Sequence, residues 1–395
     1  MARHKRTDDD ADKARTLEQL LSAKEIAIFC GSGGVGKTTT AAASAAMAAA
    51  EIGGKVLVLT VDPARRLASA LGLERFGNVE TRVPDELFEA AGVEPRGELW
   101  AAMLDTKQSW DDLVRLHAPD QRTREAILAN SLYQNISGRF VQSHDYIAME
   151  RLYEIHKAGT YDLIVVDTPP TRNAIDFLEA PDRMADFFSS KLLRWLTAPA
   201  KSRVMTLASK PFYTVADRIL GSQFLEDIAE FFGLFQTMAP GFVERAEAVT
   251  RTLSDRRTTF LVVSTLEAAP LHEAEFFIEA LDERKLHLGA LVLNKVLPAY
   301  LRRTTTTGVA KRLVADAADL GTDPAVAPAG AADDIARVLA TVGESFLNYQ
   351  VVAKREAEQR AGLARSPEVV AAVPYFDADI HDLAGLLALG DQIWR

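Results

Sequence analysis

At 395 residues the chain is long enough to bury a large core, arranged as two or three domains or as one elaborated domain. A formal net charge of −10 removes the electrostatic case for broad binding to nucleic acid or anionic membranes, and 48% hydrophobic with 25% charged residues is the make-up of an ordinary globular protein. The single cysteine, Cys30, excludes internal disulfides and any metal site built from the chain's own cysteines.

The chain begins MARHKRTDDDADKAR, a charged stretch with no apolar signal-peptide region, and residues 1–22 are expected to be a disordered tail. No run of about 20 apolar residues occurs, so no transmembrane segment is expected and the cytoplasm is the expected location. Residues 23–395 then form the folded domain. Ile26 to Cys30 reads as a buried strand, with Cys30 a small apolar residue on it. It runs into Gly31-Ser32-Gly33-Gly34-Val35-Gly36-Lys37-Thr38, which fits the phosphate-binding pattern G-x-x-x-x-G-K-[ST]. Phosphate oxygens need donors at close range, and glycines let backbone N–H groups turn inward with no Cβ in the way. Gly31, Gly33, Gly34, Val35, Gly36, Lys37, Thr38 and Thr39 are therefore the expected phosphate cradle. Lys37 would reach the β- and γ-phosphates, and the Thr38 hydroxyl would ligate Mg²⁺. The next helix would aim its positive end at the same anion.

That helix, Thr38 to Glu51, is dominated by alanine, the strongest helix former, and its small side chains suit close packing on a sheet. Val56 to Val61 is a near-continuous apolar strand of the kind found in parallel sheets. Asp62-Pro63 follows at its carboxyl end. Residues 74–98 read as a connection, and Leu99 to Leu104 as a third strand. Helical pattern fills 105–158, broken near His117-Ala118-Pro119 and Gly138. Tyr161 to Asp167 returns as a buried strand ending in an aspartate, with Thr168-Pro169-Pro170-Thr171 as its loop.

Residues 174–253 form a second helical insertion. Phe224, Leu225, Ile228, Phe231, Phe232 and Phe235 fall on one stripe, and Met184, Phe188, Leu192 and Trp195 on a shorter one. Each is either core packing or a partner-binding surface. Thr259 to Ser264, Leu288 to Asn294 and Glu368 to Val373 complete the strands, with a helix from about Pro270 to Arg284. The stretch 319–333 reads as an exposed loop. A helix follows with Ile335, Val338, Leu339, Val342 and Phe346 on one face, and a terminal helix starts at Ile380. Apolar strands alternating with helices give an α/β fold of the P-loop NTPase type. Its mostly parallel sheet is covered by helices on both faces, with helical insertions added.

In such sheets ligands bind outside the carboxyl ends of the strands, where Gly31–Thr39, Asp62 and Asp167 all fall. Phosphoryl transfer to water needs a cradle, a metal, a residue orienting the water, and neutralising charge. Lys37 and the loop amides supply the cradle. Thr38 would hold Mg²⁺ directly and Asp167 through water, and Asp62 is the candidate to orient or deprotonate the water. Either aspartate alone could simply cap the next helix.

The GGVGKTT core, the Asp62-Pro63-Ala64 after the second strand and DTPPTRNAIDFLEAP after the fourth resemble the arsenical-pump and tail-anchored-protein-targeting ATPase family of deviant-Walker-A P-loop proteins. The likeness is strongest to its actinobacterial anion-transporting-ATPase-like branch and runs from about residue 24 to 390. It implies an ATP- and Mg²⁺-dependent dimeric switch, with Asp62 in switch I activating water and Asp167 to Thr171 as switch II. It also implies that Asn294 contacts adenine, and that Pro374 lies in the late adenine loop Val373 to Phe376. Three departures stand out. Ser32 occupies the place of the deviant lysine that crosses to the partner's nucleotide, leaving Arg65 and Arg172 as candidate substitutes. No paired-cysteine motif is present for a zinc-bridged dimer. Nor are there spare cysteines for sensing arsenite. The resemblance thus leads to an ATPase, slow on its own, pairing as a homodimer or, preferred, as a heterodimer with a lysine-bearing paralogue. A client or membrane-protein partner would bind the helical insertion, and nucleic acid is not expected to bind. The alternative is a catalytically weak, nucleotide-binding regulatory subunit.

Overall fold

The structure, a computed structural model, describes residues 16–61, 65–73, 77–136, 143–169, 174–189, 230–326, 331–363, 367, 369–376 and 379–394. Eight strands form one sheet: β1 (Ile26–Cys30), β2 (Gly54–Thr60), β3 (Thr81–Arg82), β4 (Gly97–Met103), β5 (Leu163–Asp167), β6 (Thr258–Ser264), β7 (Leu288–Val296) and β8 (Val369–Pro374). Their order is β3-β4-β2-β5-β1-β6-β7-β8, parallel except for the short antiparallel pairing of β3 on β4. The chain leaves β1 towards β2 on one side and later builds β6, β7 and β8 on the other. The carboxyl end of β1 is therefore the switch point, the place where open parallel sheets bind their ligands.

Alternate residues of the central strands enter two different cores, the signature of a sheet covered on both faces. Ile26 and Ile28 of β1 pack with Leu57, Leu59, Ile164 and Val166 beneath the helices Thr106–His117, Ser143–Ala158, Ala239–Leu253 and Ala268–Glu283. Ala27 and Phe29 face the opposite way, with Val56 and Val58, against the alanine helix Lys37–Met47 and the C-terminal helix Leu383–Trp394. The alanines let those two helices approach so closely that a Cβ on Gly390 would fall on the Met47 side chain.

The first of these layers holds described helices from both stretches expected as insertions, 105–158 and 174–253. Trp110, Phe235 and Phe242 form a ring cluster with Tyr133, the Phe231–Phe235 centroids lying 4.6 Å apart and Trp110 6.1 Å from both Phe235 and Phe242. Helices from both insertions thus share one core under the sheet. Beside it, Arg245 Nε lies 2.6 Å from Glu150 Oε1 and Tyr146 donates to the same carboxylate at 2.7 Å. In the aromatic stripe, Phe231 and Phe235 are buried and Phe232 packs against the core. Phe188 lies in the helix Ala174–Ser189, and Phe224, Leu225, Ile228, Leu192 and Trp195 lie outside the described residues.

Four local expectations are corrected. The tail does not extend to residue 22: Leu17–Ser22 is a helix, capped by Thr16, whose Leu17, Leu20 and Leu21 at helical spacing are buried. The 74–98 connection contains β3 and the helix Asp85–Ala90, pinned by buried Phe88. The 319–333 stretch is helical over Ala317–Thr322, and its Gly321 serves close packing, since a Cβ there would meet Ala332 O at 2.5 Å. The helix Ala332–Gly362 keeps part of its expected face, with Ile335, Leu339 and Phe346 half-buried. Gly343, Gln350 and Ala353 are buried while Val338 and Val342 are exposed, because Gly343 lets the backbone approach Val314 and the Ala310 carbonyl. Among the described residues no helix is long and apolar enough to cross a membrane.

Candidate nucleotide-phosphate site

The site is built from the strand ends at that switch point. β1 stops at Cys30 because Gly31 turns the chain at φ 150°, and a Cβ on Gly31 would run into the Val263 carbonyl of β6. Only glycine fits so close to a neighbouring strand. Val35 anchors the middle of the loop, its side chain buried in the core beside the alanine helix. Gly36, at φ 95°, is the N-cap of Lys37–Met47 and supplies no side-chain cap to the helix. The first amides of that helix therefore face the loop and suit an anion. Lys37 is 6% exposed and donates through Nζ to the Ser32 carbonyl at 2.8 Å, lying across the mouth of the loop. Gly33 and Gly34 are exposed, Thr38 and Thr39 half-buried, and Thr40 is turned away, donating back to the Gly36 carbonyl. Ser32 Oγ is buried with no hydrogen-bond partner among the described residues.

Asp167 ends β5 beside this loop, in register with Phe29 of β1 and Thr60 of β2. It is fully buried, and its Oδ2 accepts from Thr60 Oγ1 at 2.9 Å. Thr168 donates to the Phe29 carbonyl at 2.8 Å, tying the start of the next loop to β1. So placed, at the end of the strand next to β1, from which the glycine loop departs, the carboxylate is oriented by Thr60. A hydroxyl and a carboxylate are hard oxygen donors of the kind Mg²⁺ takes, and a glycine-rich loop running into a helix N-terminus offers the backbone amides that a phosphate takes. Asp62 falls two residues past the end of β2, and Asp62, Pro63, Ala64 and Arg172 lie outside the described residues. Arg65 opens the helix Arg65–Ala70.

Cys30, at the base of the loop, is sequestered. Burial pushes its thiol up to about 12, against the weaker opposing effects of a hydrogen bond with Thr168 and the charge of Lys37, and this keeps it protonated at neutral pH.

On the other flank, Asn294 lies against the loop from β7. Its Nδ2 donates to the Val35 carbonyl at 2.8 Å, and a Cβ on Gly36 would fall on that nitrogen. Lys295 follows at φ 58°, a left-handed conformation costing a non-glycine residue roughly 1–2 kcal/mol. Its N–H is held by Asn294 Oδ1 at 2.9 Å, and its Nζ donates to the Gly34 carbonyl at 3.1 Å. Pro374 closes β8 opposite Val296, with Tyr375 N donating to the Val296 carbonyl. Thr60 and Lys295 escaped sequence reasoning. Each looks like an ordinary strand residue until the fold brings its distant partner alongside.

The family model of the anion-transporting ATPase matches residues 24–314, which takes in the loop, Asp167 and Asn294. The chain belongs to the anion-transporting ATPase family. Membership makes it kin to nucleotide-hydrolysing enzymes, while β8 with Pro374 lies beyond the matched stretch. The chain is 27% identical over 296 residues to the ATPase GET3 of Malassezia globosa, covering 74% of this chain and 78% of the relative. It is 26% identical over 300 residues to the ATPase GET3 of Podospora anserina, covering 73% and 78%. The ATPase get3 of Pyrenophora tritici-repentis is similar to the same degree, 26% over 300 residues covering 73% and 79%.

Proposed function

We propose that the chain is a Mg²⁺-dependent ATP hydrolase acting in the cytoplasm as one half of a dimeric nucleotide switch. The observation that carries this reading is the convergence of Lys37, the uncapped helix behind Gly36 and buried Asp167 at the ends of adjacent parallel strands. The loop amides from Gly33 to Thr39 bind the triphosphate, and Lys37 moves from the Ser32 carbonyl to the β- and γ-phosphates. Thr38 directly and Asp167 through water would hold Mg²⁺, which neutralises charge on the phosphate oxygens. Asp62 orients the water that attacks the γ-phosphorus as the bond to the β,γ-bridging oxygen breaks, giving ADP and inorganic phosphate. Asn294 and Pro374 border the adenine side. Each end of the Asn294 amide keeps one further hydrogen-bonding position for a base.

Ser32 shapes the partnership. A cation supplied in trans to the transferring phosphoryl group is worth about 10³–10⁵ in rate, and Ser32 offers none. The chain is therefore slow alone and pairs with a lysine-bearing paralogue in preference to a second copy of itself, unless Arg65 or Arg172 substitutes. Nucleotide state then passes through the two switch loops to the helical layer, which engages a client or partner protein.

Phosphate release by the chain alone, after mixing with such a paralogue, and by Asp62→Asn tests the reading. The expected results are slow turnover alone, a gain on mixing, and a further loss of roughly 10²–10⁴ in Asp62→Asn. Parental turnover by Asp62→Asn would remove Asp62 from the chemistry. Brisk turnover alone with no gain on mixing would remove the heterodimer. Because Ser32 also fits a regulatory subunit, ATP binding with no single-turnover hydrolysis would assign the chain that role instead.

A further inference from the structure

From the geometry at the end of β7 we infer that Lys295 is a positioning residue of the phosphate site, acting with Asn294 as a two-point clamp that turns the Val35 and Gly36 amides towards the ligand. The inference rests on the nucleotide-binding reading above and names a residue which that reading does not use. β7 runs to Val296, but its ladder with β8 slips between Leu293 and Val296, so Asn294 and Lys295 leave the regular pairing. Such irregularities re-aim side chains, often beside active sites. Here both residues are aimed at the loop: Lys295 Nζ donates to the Gly34 carbonyl at 3.1 Å and Asn294 Nδ2 to the Val35 carbonyl at 2.8 Å.

These are consecutive peptide units. In a trans peptide the C=O of one residue and the N–H of the next point in opposite directions, and no cis bond occurs among the described residues. Pulling the Gly34 carbonyl towards Lys295 therefore turns the Val35 N–H away from β7. Pulling the Val35 carbonyl towards Asn294 does the same to the Gly36 N–H. Two successive amides are thus presented on the side opposite β7, which is the arrangement that binds an anion. The left-handed backbone at Lys295 is what brings its side chain over the loop, and Asn294 Oδ1 holds that conformation by accepting the Lys295 N–H at 2.9 Å. Strain retained at an exposed lysine, beside a functional loop and braced by its neighbour, calls for a role. Lys295 also gives this subunit a second ammonium beside the loop, where Ser32 gives none.

The ligand class that senses the clamp is a nucleoside di- or triphosphate; a nucleoside without phosphates does not. The full-length protein carrying Lys295→Met or Lys295→Arg tests this by calorimetric titration with ATP, ADP and adenosine. Amide hydrogen exchange of the 31–38 segment without nucleotide is measured alongside. Lys295→Met is expected to weaken ATP and ADP about tenfold, leave adenosine unchanged and speed exchange in the loop. Lys295→Arg, which keeps the donor and the charge, is expected to restore both. Parental ATP affinity in Lys295→Met, or equal loss for ATP and adenosine, would overturn the clamp. Unchanged exchange would overturn it independently of any nucleotide. A parental protein that binds no ATP would instead overturn the nucleotide reading, and the exchange measurement would still decide the clamp.

Discussion

Gly36 is the residue on which the loop's geometry is most finely balanced. Its φ of 95° suits glycine, and the space where a side chain would begin is filled by the Asn294 amide. Gly36→Ala is expected to displace Asn294 from the Val35 carbonyl, cost about 1–2 kcal/mol of stability from backbone strain, and weaken ATP at least tenfold. Adding Asn294→Ala should recover part of the stability by removing the collision, so the two substitutions would be non-additive in denaturant unfolding. Strict additivity would mean that the two side chains do not meet. At this scale the candidate cradle could be picked out in the sequence because a phosphate loop needs glycines and a lysine at fixed spacing. The buttresses were not: Thr60 and Lys295 acquire meaning only when β2 and β7 bring them to a partner distant in sequence, 107 positions for Thr60 and Asp167 and 261 for Lys295 and Gly34.

Phe235 carries the argument from side chain to element. It is buried among Phe231, Trp110, Tyr133 and Phe242, drawn from helices of both insertions. Phe235→Ala should cost about 3–5 kcal/mol, the usual range for emptying an aromatic core site, read as a lowered urea midpoint. An unchanged midpoint would show that the helical layer unfolds separately from the sheet. His117, closing the helix Thr106–His117, gives the same layer a pH dependence. Burial, reinforced by Arg245 and Lys157, lowers its pKa to about 4, and its Nε2 has no hydrogen-bond partner among the described residues. Carboxylate oxygens of Glu150 and Glu154 lie within 4.8 Å of the ring, with Glu150 compensated by Arg245. The unfolded state takes up its proton near the ordinary value of 6.5 and the folded state only near 4. Stability from this group is therefore present above 6.5 and lost as the pH falls towards 4. His117→Gln should shrink the difference in urea midpoint between pH 7 and pH 5; an unaltered difference would contradict the assignment. Element boundaries followed from apolar periodicity where one face alone is buried. Periodicity was half right at Ala332–Gly362, where Ile335, Leu339 and Phe346 flank the packed Gly343 and Val338 and Val342 face outwards.

For the whole molecule, the parallel sheet was readable because strands buried on both faces are nearly continuous in apolar residues, as in Ile26–Cys30 and Leu163–Asp167. The joint core of the two insertions was not, since ring clusters such as Trp110 with Phe242 form between segments more than a hundred residues apart. What the architecture accomplishes is placement: loop, Asp167, Asn294 and the end of β8 stand at one rim of one sheet. The account depends on that rim gripping phosphates, and titrating fluorescently labelled ATP into the parental protein and Lys37→Ala measures it directly. Loss of a charge-assisted contact worth about 1.5–3 kcal/mol predicts roughly 10- to 100-fold weaker binding by the variant. Equal affinities for the two proteins would contradict it.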